Sequence, residues 1–384
     1  MEPKVALVLD ALAGIGGGER VFLTALELFP SAPIFTLIYT PQVFSDTLVA
    51  GHPVIPSFID RLPRSHTRYR AYLPLMPYAM SRFDLSKFDL VISFSYAVAH
   101  GVRILPGQRH ISYTHTPLRY AWRNYKIAEK LSPDQWLVNW FFRYFRKWDL
   151  QAVRQIDQFA AVSRDIAGWI HRVYRREAQV IYPPVDLERF RSHYPRDRAY
   201  ITVSRLVAHK RIDLIVEAFS RLKLPLTIIG DGPELGHLRK MAAPNITFTG
   251  YQSDPVVAQS LTRARAFLSA SQEDFGIAMV EAQAAGCPVI TLGKGGALET
   301  VLEGKTGLFY AQQSADSLIE AVERFETLAD SFSETDLLAN VQRFSKERFL
   351  NEFSKFAGLD QIGSSERSIQ HTMIYNQDQV SKTK

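Results

Sequence analysis

The chain has almost no cysteine: one thiol, Cys287, stands among 384 residues. An intramolecular disulfide is therefore excluded, and the composition points to a reducing compartment. The setting of that thiol, Ala285-Gly286-Cys287-Pro288-Val289-Ile290, is that of a small buried hydrophobe rather than a nucleophile. Also lacking is any run near the roughly 18 uninterrupted apolar residues that would span a bilayer, so no segment reads as a membrane-crossing helix. The opening run Val5 to Leu9 ends too soon, at Asp10, for a secretion signal, and it reads instead as a buried first strand. No repeat or low-complexity tract interrupts the chain before Gly363. From there Ser, Gln, Asn, Thr and Lys displace large apolar side chains. Such a segment cannot offset its ordering entropy, and residues 363–384 are expected to form a disordered tail.

What is present is an ordinary globular composition, 46% hydrophobic and 22% charged, at a length that suits two domains with sizeable cores. Short apolar runs alternate with amphipathic stretches, the pattern of parallel sheets covered by helices. Strands are expected at Val5–Leu9, Pro33–Tyr39, Leu90–Ser93, His110–Tyr113, Phe159–Val162 and Val180–Tyr182. A second set is expected at Tyr200–Val203, Leu226–Ile229, Ile246–Thr249, Ala266–Leu268 and Val289–Leu292. The fold class is α/β, with two Rossmann-like, doubly wound domains facing a central cleft. Pro183-Pro184 forbids helix and withholds ladder donors, so the boundary falls there. The expected division is 1–182, 183–342, a helix at 343–362 returning to the first domain, and the tail. Along Ser132 to Leu150, Trp136, Trp140, Tyr144 and Trp148 recur at steps of four and read as a core stripe.

A formal net charge of +6 favours anionic partners: nucleic acid, lipid headgroups or nucleotide phosphates. The interleaved basic and aromatic motifs of a nucleic-acid reader are missing, and nucleic acid is not expected as a partner. The loop Ala13-Gly14-Ile15-Gly16-Gly17-Gly18-Glu19-Arg20 follows a strand and opens a helix, where bare amides can approach a phosphate or where glycines simply make a tight turn. A dinucleotide dehydrogenase would want a third glycine at Glu19 and an acidic residue after the second strand, and Thr36 to Thr40 offers none. In the second half, Ser204-Arg205-Leu206-Val207-Ala208-His209-Lys210-Arg211 follows a first strand, at the sheet edge where open α/β sheets hold ligands. Arg205 and Lys210 are candidate phosphate clamps, or else a solvated basic helix start. Gly230-Asp231-Gly232-Pro233 makes another turn at that edge. In Glu273-Asp274-Phe275-Gly276-Ile277-Ala278-Met279-Val280-Glu281, two carboxylates stand eight apart about a glycine. At 1.5 Å per residue, eight helical residues rise roughly 12 Å, comparable with the distance from the hexose of a nucleotide sugar to its ribose, so one carboxylate can meet each end.

Taken together with Tyr113-Thr114-His115-Thr116-Pro117 and Val180-Ile181-Tyr182-Pro183-Pro184-Val185-Asp186, these motifs resemble family 4 of the retaining glycosyltransferases with the GT-B fold. The likeness runs from about residue 4 to about residue 355. It implies that Gly16 and Gly17 lie near the donor phosphates, that Arg205 and Lys210 bind the diphosphate, and that Glu281 holds the ribose. Glu273 with the amides of Asp274, Phe275, Gly276 and Ile277 would surround the donor hexose. His115 would make a polar contact beside the reacting carbon. Two positions depart from the pattern: Asp274 stands where glycine is common, and Pro183-Pro184 where an asparagine-glycine pair is. No Asp-x-Asp pair occurs, so the usual metal–diphosphate clamp is missing, and neither metal nor cofactor is expected. The stretches Tyr113 to Trp122 and Lys210-Arg211-Ile212-Asp213 resemble mannosyltransferases of bacterial surface polysaccharide assembly.

The implied reaction is hexosyl transfer with retention, from GDP-mannose or a UDP-hexose to a glycan or lipid-linked acceptor. With no carboxylate nucleophile evident in the first domain, a same-face mechanism fits. A nucleotide-sugar epimerase of the same fold is the rival enzyme, and a catalytically silent nucleotide-sugar sensor the rival of another class. Location is expected to be cytoplasmic. Arg61, Arg64, Arg68 and Arg70, with Arg143, Arg146 and Lys147, would rest on anionic lipid at the inner face of the plasma membrane or form a solvated basic face.

Overall fold

A computed structural model describes residues 3–122, 135–190 and 197–359; residues 363–384 lie outside it. Two parallel sheets organise the chain. The first contains β1 (Val5–Leu9), β2 (Ile34–Thr36), β3 (Val54–Pro56), β4 (Leu90–Ser95), β5 (Arg109–Thr114), β6 (Gln158–Ala161) and β7 (Ala178–Val180), in the order β3-β2-β1-β4-β5-β6-β7. The second contains β8 (Tyr200–Val203), β9 (Leu226–Ile229), β10 (Ile246–Gly250), β11 (Phe267–Ser269), β12 (Val289–Leu292) and β13 (Gly307–Tyr310), in the order β10-β9-β8-β11-β12-β13. In both, the direction of winding reverses beside the first strand, between β1 and β4 and between β8 and β11. The crevice at such a reversal is where doubly wound sheets bind ligands.

Helices cover both faces of β1, and its alternation shows it: Leu7 and Leu9 enter one core cluster while Ala6 and Val8 enter another. The carboxylate that follows the strand, Asp10, is buried. Asp10 accepts the backbone N–H groups of Tyr96 and Ala97 at one oxygen (2.6 and 2.9 Å) and of Val98 and Ala99 at the other (2.6 and 2.8 Å). One side chain thus ties the ends of β1 and β4 together at the reversal.

Two edge strands, β3 and β13, are absent from the sequence reading. Val54-Ile55-Pro56 is short and ends in proline, which an edge tolerates, and Gly307-Leu308-Phe309-Tyr310 follows directly on a turn. The aromatic stripe is a correction. Trp140 and Tyr144 are 64% and 51% exposed and stack on each other with centroids 6.2 Å apart. The core-facing side chains are Phe141, Phe145 and Trp148. Each step of four overshoots a helical turn by about 40°, so a stripe at that spacing winds off the buried face, whereas spacings of four and three keep to it. Trp136 has no described side chain.

The helix Lys346–Ala357 follows the second sheet in sequence but packs on the first. Its Ser345 hydroxyl accepts the N–H of Arg348, and Gly358, at φ +79°, closes its far end. Phe349, Phe353 and Phe356 recur at helical spacing. Phe353 stacks on Phe94 and meets Tyr113 edge-on, while Arg109 donates to the carbonyls of Phe356 and Ala357. Burying each phenyl ring contributes on the order of 2 kcal/mol, enough to hold the helix away from the sheet that precedes it.

Replacing Asp10 by Ala would strand four backbone donors, and about 3 kcal/mol of stability should be lost in urea unfolding. Asp10→Asn should lose nearly as much, since its amide nitrogen would face two of those donors. Wild-type stability in both variants would refute the tie.

Candidate functional site

The loops after β1, β5, β8 and β11 meet between the sheets around a cavity of about 280 Å³. From the first domain come Gly17, Gly18 and His115, and from the second Lys210, Glu273 and the run Asp274 to Met279. Of the residues singled out from sequence, Gly17, His115, Lys210, Glu273, Asp274, Phe275, Gly276 and Ile277 line this cavity. Gly16, Arg205 and Glu281 do not.

The glycine loop opens the helix Gly17–Leu26. Glu19 closes back on it, its Oε2 accepting the Gly16 N–H at 3.0 Å, so that amide is already occupied. Here the missing third glycine has a structural role. A Cβ on Gly17 would stand 2.9 Å from the Cδ1 of Ile277, and one on Gly18 would stand 3.6 Å from the His115 ring. Bare backbone is what lets the second domain come this close.

His115 follows β5 and anchors its N–H on the Ser95 carbonyl at 2.8 Å. Its Nε2 is buried without a hydrogen-bond partner among the described residues. Burial lowers the imidazole to about 4, so the ring is neutral at physiological pH. A neutral ring beside a cavity can offer one donor or one acceptor to a ligand.

Opposite it, Lys210 Nζ meets both oxygens of Glu273 at 2.7 Å, and Ser271 Oγ donates to Oε1 at 2.5 Å. Burial alone would raise the Glu273 carboxyl, but the Lys210 charge and the Lys210 and Ser271 bonds outweigh it and hold the group below its ordinary value. Phe275 turns its ring away, against Tyr182 and Phe344, and leaves its backbone at the cavity. Gly276, at φ +98°, starts the helix Ile277–Ala284, and a Cβ there would lie 2.0 Å from the Met279 methyl. The helix therefore begins only at Ile277. Glu273 precedes it, and a rise counted over eight helical residues overstates how much of the Glu273–Glu281 span is helical.

Glu281 lies beyond the cavity, with Arg189 Nη1 3.3 Å from its Oε1. Burial raises its carboxyl, opposed by the charges of Arg189 and Arg20. Arg189 also approaches Asp254 at 3.4 Å, and Arg20 crosses from the first domain to grip both Asp254 oxygens at 2.8 and 2.7 Å. Arg205 is exposed, and its charge acts on Glu19 of the first domain, whose carboxyl is raised chiefly by burial. A further bridge joins Arg119 to Asp274 across the cleft. His209 is lowered to about 4, chiefly by burial and further by the charges of Lys210, Arg119 and Arg205. Arg20, Arg189 and Arg119 escape sequence reading as ion partners because each finds its carboxylate tens to hundreds of residues away. Among the described residues no group of three His, Cys, Asp or Glu side chains could hold a metal ion.

Two doubly wound parallel sheets that meet at one cleft, each contributing loops to it, define the GT-B architecture. Residues 15–189 match the family Glycosyltransferase Family 4 and residues 186–340 match Glycosyl transferases group 1, two contiguous modules that together span the cleft. The chain belongs to the GT-B glycosyltransferases of the family 4 type.

Among curated proteins it is similar to the GDP-mannose-dependent alpha-(1-6)-phosphatidylinositol monomannoside mannosyltransferase of Mycobacterium tuberculosis, 34% identical over 171 residues, covering 36% of this chain and 44% of that protein. The match thus spans less than half the length of that relative. It is also similar to the N-acetyl-alpha-D-glucosaminyl L-malate synthase of Bacillus anthracis, 25% identical over 224 residues, with 52% of this chain and 57% of that protein covered. In fold it is similar to Anabaena HepE, solved in complex with UDP and glucose, at TM-score 0.69 and 17% identity, covering 93% of this chain and all of that one. Sucrose-phosphate synthase of Thermosynechococcus elongatus superposes at TM-score 0.71 and 18% identity, covering 92% and 98%.

The Cε1–H resonance of His115, followed by NMR with His115→Gln for assignment, should titrate with a midpoint near 4 and stay flat from pH 5.5 to 8. A midpoint at the ordinary value near 6.5 would show the ring to be solvated.

Proposed function

We propose that this chain transfers a hexose, with retention of configuration, from a nucleotide diphosphate sugar to a glycan or lipid-linked acceptor, without a metal. The observation that carries the proposal is the convergence of Lys210, Glu273 and residues 274–277 on one cavity with His115 of the other domain. The donor diphosphate would draw on Lys210 and Arg205, whose fixed charge stabilises the departing phosphate most as the glycosidic bond breaks. Lys210 would then be shared between Glu273 and phosphate. Glu273 and the amides would take hexose hydroxyls, and Glu281, freed from Arg189, the ribose. Neutral His115 would contact the hexose and acceptor. Gly17 permits the close approach, while Gly16, whose amide is held by Glu19, would shape the loop rather than bind phosphate.

GDP-mannose is the proposed donor, supported by the mycobacterial relative's named donor and by the stretches Tyr113 to Trp122 and Lys210 to Asp213. A UDP-hexose is the alternative, since relatives of the same family differ in the sugar they are named for. Product analysis against a panel of nucleotide sugars decides: free nucleoside diphosphate with a glycosylated acceptor supports transfer, and an altered nucleotide sugar supports an epimerase. Consumption of UDP-sugars but not GDP-mannose would overturn the donor assignment.

Four substitutions should fail in three different ways. Lys210→Ala or Arg205→Ala should lower kcat more than donor affinity, by roughly 2 to 4 kcal/mol of transition-state stabilisation. Glu281→Gln should weaken donor and free nucleoside diphosphate alike and appear in KM, because a ribose contact is equal in ground and transition states. His115→Ala should leave nucleoside diphosphate binding nearly intact while transfer drops. Nucleoside diphosphate affinity that depends on His115 and ignores the other three would place the ligand elsewhere.

A cytoplasmic location on the inner membrane face belongs to the same proposal. No helix among the described residues is long and apolar enough to cross a membrane. Exposed aromatics stand with arginines on the first domain: Phe58 and Tyr78 beside Arg61, Arg64, Arg68 and Arg70, and Trp140 with Tyr144 on the helix of Arg143 and Lys147. Arg146 of that helix turns inward, donating to the Ala121 carbonyl at 2.9 Å. Sedimentation with phosphatidylglycerol vesicles should show binding at low salt that weakens at high salt. Equal binding to neutral vesicles, or none to either, would remove this part of the proposal.

A further inference from the structure

The Arg119–Asp274 bridge has no part in the reading above. Arg119 opens the short helix Arg119–Trp122, which is anchored in the first domain with unusual firmness. Leu118 and Ala121 are fully buried, and the Ala121 carbonyl accepts from Arg146. Trp122 Nε1 donates to Asp149 at 2.7 Å. Asp149, itself buried, also takes Tyr174 OH at 2.8 Å and His100 Nε2 at 2.8 Å, and His100 Nδ1 is paired with Ser95 Oγ at 2.8 Å. Arg119 therefore projects from a platform whose buried polar groups leave it little freedom.

Its target sits at the opposite extreme of firmness from a surface carboxylate. Asp274 lies between Glu273, fixed by Lys210, and Phe275, locked into the core, and it lines the cavity beside His115. Both bridge partners are largely shielded, with side chains 30% and 16% exposed, so water screens the pair weakly. The second cross-cleft bridge, Arg20–Asp254, is tied through Arg189 to Glu281 at the other end of the 273–281 segment. The cleft is thus bracketed at both ends by ion pairs between domains, and of these two the Arg119 bridge is the one whose carboxylate partner, Asp274, lines the cavity.

We propose that Arg119 is a positioning residue: by pairing with Asp274 it closes the acceptor domain on the hexose end of the cleft and holds that carboxylate in register with the donor hexose. The inference rests on the transfer reading. In that reaction the bond from the anomeric carbon to the phosphate oxygen breaks, a bond to the acceptor oxygen forms, and the acceptor proton leaves with the diphosphate. Closure brings the acceptor side to the anomeric carbon without touching the nucleotide.

The test is a double-mutant cycle on the full chain, with Arg119→Gln, Asp274→Asn and the double variant, each checked for wild-type thermal unfolding. Each single variant should lower kcat for transfer by at least about tenfold and leave nucleoside diphosphate affinity within about threefold, and the double variant should be no worse than the poorer single by more than about threefold. Multiplicative losses in the double variant would overturn the inference, as would an equal loss of nucleoside diphosphate affinity. Should Arg119→Gln fail to fold, Arg119→Lys, which keeps the charge, is compared with Asp274→Asn: most of the rate retained in the first with an about tenfold loss in the second supports the inference, and a full rate in Asp274→Asn overturns it. A radius of gyration measured by small-angle scattering separates this proposal from the functional one. Where no nucleotide sugar is turned over by the wild type, the transfer reading fails. Expansion of both singles, with none further in the double, then supports the latch, and unchanged dimensions overturn it.

Discussion

Several polar ties across the cleft run in the same direction, from a donor in the first domain to a carboxylate in the second. Arg20 reaches Asp254, Arg119 reaches Asp274, and the N–H groups of Arg164 and Asp165, opening the helix Arg164–Tyr174, reach Glu299 at 2.8 and 3.1 Å. The last is a helix cap supplied by the other domain, which satisfies orphan amides and meets the positive end of the helix dipole at once. Everything the cavity can do depends on this pairing, because neither sheet alone presents both His115 and Lys210 to one ligand.

The charge balance inside the cleft follows from the same pairing. Glu273 and Asp274 each already hold a cation, so the pair of carboxylates adds little net charge, while the exposed Arg205 is placed to meet an anion. A buried, paired Glu273 stays ionised because Lys210 is beside it. Removing one member would leave the other costly to keep charged, and the two are best regarded as one unit.

Much of this was legible in the sequence, and the reasons differ by element. Buried parallel strands such as β1, β4 and β12 announce themselves as apolar runs because both of their faces are covered. Glycine-rich turns mark the sheet edges, and the pair Glu273 and Glu281 marks the second half-site. Edge strands β3 and β13 are hidden, since half-exposed and short segments lose the pattern that betrays a strand. Helical phase is hidden as well: Trp140 and Tyr144 share a spacing with Trp148 but not its face. The bridges from Arg20, Arg119 and Arg189 leave no local trace at all, for pairing over such separations is a property of the folded topology.

The chain passes between the domains twice, and the two passages are bonded to each other. Val185, just beyond Pro183-Pro184, donates to the Phe344 carbonyl at 2.9 Å and pairs in parallel with Ser345, at the start of the helix that returns to the first domain. A single connecting strand would act as a swivel, free to twist. A second crossing bonded to the first opposes that twist, as two stitches in the spine of a book do where one would let a page turn. The alignment of His115 with the Glu273 loop is thus supported by how the chain crosses between the domains as well as by the ion pairs across the cleft.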